Sequence, residues 1–159
     1  MGKAVYVGEG KNVWPHVHID EGEEAVSFDM VWRRLTYFEI RQVGKFYHIL
    51  FDAIVSGKQP ASGRDGYYFL ESGEYKQLAV AESIAKALYA RGKVGSPEPV
   101  RLGESDLDPK SYQLALVGLG TNSRAKGERG RGLGWNPPQT TEDFYASIQA
   151  DVDYWLKTH

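Results

Sequence analysis

Between positions 75 and 91 the apolar residues return at helical spacing. Leu78, Ala79, Ile84, Ala85 and Leu88 share one side of a helix predicted over Tyr75–Arg91, and Gly92 stands where a left-handed residue ends such a helix. Residues Glu23 to Val55 can also be read as helix, but only from Phe46 onward is the stripe clean, through Phe46, Tyr47, Leu50, Ala53 and Ile54. Before that, Phe28, Val31, Trp32, Leu35, Phe38 and Ile40 give a blurred pattern, and their β-branched and aromatic side chains weaken helix propensity. A terminal helix is expected over Thr140–Trp155, with Thr141 as cap and Phe144, Ile148, Val152 and Trp155 on its apolar side.

The remaining pattern is shorter. Ala4 to Val7 is an apolar β-prone run closed by the turn signal Gly8-Glu-Gly-Lys-Asn12. From Val13 to Ile19, Val13, Val17 and Ile19 alternate with His16 and His18, and Pro15 directs that strand to an edge or a bulge. Residues 56 to 66 read as a loop, Gly66 to Leu70 as a buried strand, Glu71 to Glu74 as a turn, and Ser96 to Leu102 as an extended run kept off a central strand by Pro97 and Pro99. Ser111 to Leu119 fits either a helix or a buried strand, and Ser123 to Leu133 either a glycine-interrupted basic helix or a loop.

Composition narrows the function classes. The 159 residues are enough for one domain, and 42% of them are hydrophobic, which can supply a core. A net charge of −2 gives no global field for nucleic acid or an anionic membrane. No apolar run approaches the ~20 residues of a spanning helix, and the first residues lack the apolar core of a secretory signal. Cysteine is absent, which removes disulfides and thiolate chemistry together. A cytoplasmic protein without membrane or nucleic-acid partners is the expectation.

Five motifs carry candidate chemistry. Gly8-Glu-Gly10 follows a strand as a phosphate turn should, but Val13 holds the third glycine position and an extended run follows. Gly118-Leu-Gly120-Thr-Asn-Ser123 has Ser123 at that position and no later strand ending in an acid for a ribose. Tyr89-Ala-Arg-Gly-Lys93 matches the spacing by which a lysine lowers a tyrosine's pKa for proton transfer, yet Gly92 interrupts it. His16, His18 and Asp20 alternate on the second strand, so their side chains could converge on a metal, although His48 and His159 are the other histidines available. That trio supports a third reading, a metal-dependent hydrolase; a polar strand face lining a cleft is preferred, and no metal site is assigned. The Arg124–Arg131 run resembles a short Arg/Gly nucleic-acid segment, with Glu128 inside it.

Taken in order, several segments resemble the C-terminal half of the extended short-chain dehydrogenase/reductase family, the NAD-dependent epimerases and dehydratases, and most closely its fungal-type members. They are Val5-Tyr-Val-Gly-Glu-Gly10, Trp14-Pro-His-Val-His-Ile-Asp-Glu21 (similar to the family's His-Val-x-Asp), Phe46-Tyr-His-Ile-Leu-Phe-Asp-Ala53, Tyr67-Tyr-Phe-Leu-Glu-Ser-Gly-Glu74, Asn122-Ser-Arg-Ala125 and Leu133-Gly-Trp-Asn-Pro137. The resemblance implies an α/β fold: an incomplete Rossmann-type chain, a C-terminal substrate lobe over residues 1–159 with two to four short strands and three or four helices.

In that family the glycine-rich fingerprint and the catalytic Tyr-x-x-x-Lys lie upstream of the matched region. The resemblance therefore implies NAD(P) chemistry and a small-molecule substrate in the parent enzyme, with no cofactor bound and no catalytic residue supplied by this chain alone. It offers Trp14, His16, His18, Asn122 and Arg124 as substrate-side residues. Trp14 stands where members that act on nucleotide sugars place a phosphate-holding arginine, so an apolar or aromatic substrate suits it better. Residues 22–42 interrupt the resemblance; joining Glu21 to Val43 restores it, which points to a retained intron or other insertion. The contrasting expectation is a stand-alone binding or assembly module that self-associates through apolar surface.

Overall fold

The computed structural model describes residues 3–16 and 44–158. The segment 22–42 and the residues His18, Asp20 and His159 lie outside that set. The described residues are mixed α/β. Strand β1 (Val5–Val7) pairs in parallel with β4 (Val100–Leu102), in the register Val5↔Val100, Tyr6↔Arg101 and Val7↔Leu102. Strand β2 (Val13–His16) pairs with β3 (Gly73–Lys76). Five α-helices accompany them: α1 (residues 44–55), α2 (Gln77–Ala90), α3 (Pro109–Leu119), α4 (Glu128–Gly132) and α5 (Thr141–Thr158). Helix α4, only five residues long, lies in the 123–133 run that fitted either a helix or a loop.

The chain divides into two compact units. The first comprises Met1–Pro15, Glu74–Arg124 and Thr141–His159; the second comprises His16–Gly73 and Ala125–Thr140.

The first unit is built on α2 against α5. Ala87, Ile148 and Val152 are buried at the seam, with Val80, Ile84, Leu88, Tyr145 and Leu156 packed around them. Alanines on α2 let the axes approach, since Ala81 and Ala85 are buried too. Full burial of Ile148 and Val152 stabilises by roughly 1.5–3 kcal/mol each. Helix α5 thus covers part of the α2 stripe. Arg91 fastens the far end: its guanidinium donates to Asp153 at 2.5 Å and to the Ala87 carbonyl at 2.7 Å. Helix α2 closes with Gly92 at φ +65° and Lys93 N–H donating to Leu88 O.

Local chemistry settles the ambiguous 111–119 run as helix. Asp108 accepts from the N–H groups of Lys110 and Ser111, and Pro109 takes the first helical position. Thr141 does not cap α5; its hydroxyl donates to the Glu74 carbonyl at 3.3 Å.

In the second unit, Phe46 and Ala53 of α1 are buried, and Phe46 meets the Tyr68 ring at 5.2 Å. Trp135 is buried as well, with the Arg131 guanidinium 5.8 Å from its ring centre. Gly130 permits this packing, because a Cβ there would lie 3.2 Å from Leu70 Cδ2 and 3.5 Å from Phe46 Cε2. Two expectations fail here. Residues 66–70 form no buried strand: no strand among the described residues pairs with them, and Tyr67 and Phe69 are 70% and 60% exposed. The expected turn at 71–74 gives way to β3 from Gly73 onward.

Candidate functional site

Three of the five substrate-side candidates meet in the first unit, where β2 is laced to the loop after α3. Asn12 Nδ2 donates to Leu119 O at 2.6 Å, and Val13 N–H donates to Asn122 Oδ1 at 2.7 Å. Trp14 Nε1 donates to Thr121 O at 2.7 Å, and Ser123 N–H returns to Val13 O at 3.1 Å. The helix C-terminus of α3 and an edge strand each leave polar backbone groups open, and this lacing satisfies both sets. Beside it, Arg124 grips the Glu74 carboxylate in a two-pronged pair, Nε at 2.8 Å and Nη2 at 2.6 Å. Hydrogen bonding to Glu74 holds the Arg124 guanidinium above its ordinary pKa.

What remains for a ligand is therefore specific. Asn122 spends its oxygen on Val13, and Trp14 spends its N–H on Thr121. The Asn122 amide nitrogen and Arg124 Nη1 have no hydrogen bond to the described residues, and both side chains are exposed. In the same unit, Tyr75 lies against the Phe144 ring at 4.9 Å. Burial raises the Tyr75 pKa against a lowering hydrogen bond from Gln77, so its phenol stays protonated at neutral pH.

His16 belongs to the second unit. It is buried, and its carbonyl accepts from Ser72 N–H at 2.7 Å. With His18 and Asp20 outside the described residues, only His16 of the alternating trio is placed. Among the described residues no three His, Asp or Glu side chains are grouped to hold a metal.

The glycine turns do not fit a dinucleotide. Gly8 and Gly10 have φ of +65° and +67°, and a Cβ on Gly10 would come within 2.8 Å of Leu78 Cβ. Gly10 is thus small to let α2 approach, and β2 follows the turn where a phosphate site needs a helix N-terminus. Gly118 lies within α3 and Gly120 caps its C-terminus, the end of the helix dipole that repels phosphate. Tyr89 is half exposed on the last turn of α2, while Lys93 lies beyond the left-handed Gly92. The two do not share one helical face.

The basic run 124–131 is held within the protein. Arg129 donates to the Asp65 carbonyl at 2.5 Å. Arg131 pairs with Glu71, whose carboxylate also accepts from Gly127 N–H at 3.1 Å. Glu71 is buried, a tie that the sequence analysis missed; an acid facing an Arg/Gly run was its one available signal.

An open groove of about 1020 Å³ in the second unit was also missed. Phe46, Tyr47, Leu50 and Ile54 of α1 form one wall, and Tyr67, Tyr68 and Phe69 another. Among the described residues no helix is long and apolar enough to cross a membrane.

No family model matches the chain, and no solved structure matches it. Over 158 residues it is 26% identical to a protein named "Oxidase ucsJ" from Acremonium sp., a match that takes in 96% of this chain and 40% of that protein. The chain thus spans about 40% of the length of the curated relative it matches.

Proposed function

We propose that this chain is the substrate-binding part of a larger NAD(P)-dependent oxidoreductase of the extended short-chain dehydrogenase/reductase type. The similarity, along nearly the whole chain, to two-fifths of a protein named as an oxidase supports an oxidoreductase role, and the short-chain dehydrogenase type rests on the resemblance of the segments quoted above. Gly10 makes room for Leu78 and Gly120 ends α3, so neither turn is offered as the dinucleotide's cradle.

On this reading Trp14, Asn122 and Arg124 face the substrate, and the resemblance adds His16 and His18 as substrate-side residues. Support comes from the donors left open at Asn122 Nδ2 and Arg124 Nη1, on a scaffold fixed by the Trp14–Thr121 and Arg124–Glu74 bonds. A nicotinamide bound elsewhere in the enzyme supplies hydride chemistry; the residues of this chain hold and orient the substrate. Residues 22–42 are proposed to be inserted or intron-derived sequence.

Transcript sequencing upstream of Met1 and across Glu21–Val43 tests the proposal. A continuous upstream frame carrying a Gly-x-Gly-x-x-Gly and a Tyr-x-x-x-Lys is expected, with 22–42 absent from spliced message. An in-frame stop with no such fingerprint overturns the reading of the parent enzyme, and a spliced message that keeps 22–42 overturns the intron. Titration with NADPH by calorimetry is the protein-level counterpart: no saturable binding by this chain alone is expected. Micromolar affinity would place the cofactor site here instead.

A further inference from the structure

The burial of residues 67–70 alternates as in a strand: Tyr67 and Phe69 are exposed, while Tyr68 and Leu70 are half-buried. Nevertheless, none of their four backbone N–H groups donates a hydrogen bond to any group of the chain. On one edge the run is occupied. Arg129 Nη1 donates to Tyr67 O at 3.3 Å, and Phe69 O lies so close to Gly127 that a Cβ there would collide with it. Backbone groups alternate in direction along an extended chain, so those of Tyr68 and Leu70 point to the other edge, which is open. Four consecutive aromatic and aliphatic residues with no Lys, Pro or acid among them make an unguarded edge.

The side chains beside that edge are equally uncovered. Tyr47 and Ile54, across the groove from Tyr67 and Phe69, are 64% and 57% exposed. Together these four expose apolar surface on the order of 500 Å². A stable interface takes roughly 800 Å² per partner, so this face supplies more than half of what a dimer needs.

We infer that a second copy of this chain covers this face, by antiparallel pairing of residues 67–69 about Tyr68. The register follows from the open edge. Tyr68 must be a hydrogen-bonded pair with its own counterpart, because its groups are the ones that point outward. Tyr67 then stands opposite Phe69 of the second copy, and Phe69 opposite Tyr67, two aromatic cross-strand pairs on the exposed face. Antiparallel pairing about one residue is isologous and closes at two copies. The inference is independent of the proposed oxidoreductase role, since neither a cofactor nor a substrate enters it.

Sedimentation velocity of the 159-residue chain over a hundredfold concentration range tests it. A monomer–dimer equilibrium is expected, and Tyr67→Lys and Phe69→Lys are each expected to shift it to monomer at every concentration. Both positions are exposed, so helix content by circular dichroism should be unchanged, which separates dissociation from unfolding. The chain has no cysteine, so single-cysteine variants report register cleanly. A mixture of Tyr67→Cys and Phe69→Cys is expected to form the mixed disulfide in large excess over either homodisulfide. A monomer throughout, a dimer indifferent to both lysines, open-ended oligomers, or no preference for the mixed disulfide would each overturn the inference.

Discussion

Replacing Glu71 by alanine is the most searching test of how the second unit is held. Its buried carboxylate accepts from Gly127 N–H at 3.1 Å and from Arg131, which also donates to the Glu71 carbonyl at 2.8 Å. Glu71→Ala leaves the Gly127 N–H buried without that acceptor, a cost of about 1–3 kcal/mol. It also removes a charge-assisted bond worth about 1.5–3 kcal/mol. The second term is discounted, because the Arg131 side chain is 40% exposed and water takes over part of its solvation. The net expectation is a loss of about 2–4 kcal/mol, a large share of the roughly 5–15 kcal/mol that holds a domain together. Glu71→Gln keeps an oxygen for Gly127 and loses only the charge, so it should cost about half as much. Urea unfolding measures the totals. Amide hydrogen exchange at residues 127–135 localises them, since protection there should fall before protection in α2 and α5. If alanine and glutamine both lie within about 0.5 kcal/mol of the parent chain, the tie carries no weight and the account of this unit is wrong.

Other expectations follow from single contacts. Gly10→Ala places a methyl 2.8 Å from Leu78 Cβ at φ +67°, and should cost about 2–4 kcal/mol by denaturant midpoint. Trp14→Phe removes the bond to Thr121 O and should cost about 1 kcal/mol while leaving helix content intact. The Arg91 hydrogen bond holds the Asp153 carboxyl below its ordinary value of 3.8. Its stabilisation is therefore complete above about pH 5 and is lost as pH falls through the depressed folded value. The difference in urea midpoint between the parent chain and Asp153→Asn should be constant from pH 5 to 8 and shrink on acidification; a difference that does not diminish as pH falls below 3.8 would refute the pairing. Asn122→Ala strips the acceptor from Val13 N–H, and faster exchange of that amide is its expected signature.

Where the sequence was legible, the pattern was local. Helix α2 ends beside Gly92 as expected, and Ile148 and Val152 of α5 occupy the seam that their spacing assigned to them. Helix α3 was ambiguous only because its apolar run was read without its cap; Asp108-Pro109 is a sufficient start signal. Strand β3 was legible only through its partner. Gly73 and Glu74 are turn-prone by type, and pairing with β2 overrides that propensity. Residues 66–70 make the converse case, with strong β propensity and no strand, because no neighbour within the described residues meets them. The hydrogen bonds of the candidate site were illegible for the same reason. Asn122 and Trp14 bond to groups 109 and 107 positions away, separations at which no local periodicity survives.

Glycine misled most, and its geometry shows why. A phosphate cradle and a tight packing contact both require the absence of a Cβ, so the two are indistinguishable in a string of letters. They differ in what occupies the vacated space. At Gly10 that space holds Leu78, at Gly130 it holds Leu70 and Phe46, and at Gly127 it holds the Phe69 carbonyl. In each case the missing side chain is replaced by protein, and no room is left for a pyrophosphate. Gly10, Gly127 and Gly130 are thus contacts between the chain's own elements. The enzymatic reading therefore stands on the relative and on the open donors of Asn122 and Arg124, with no support drawn from a nucleotide fingerprint.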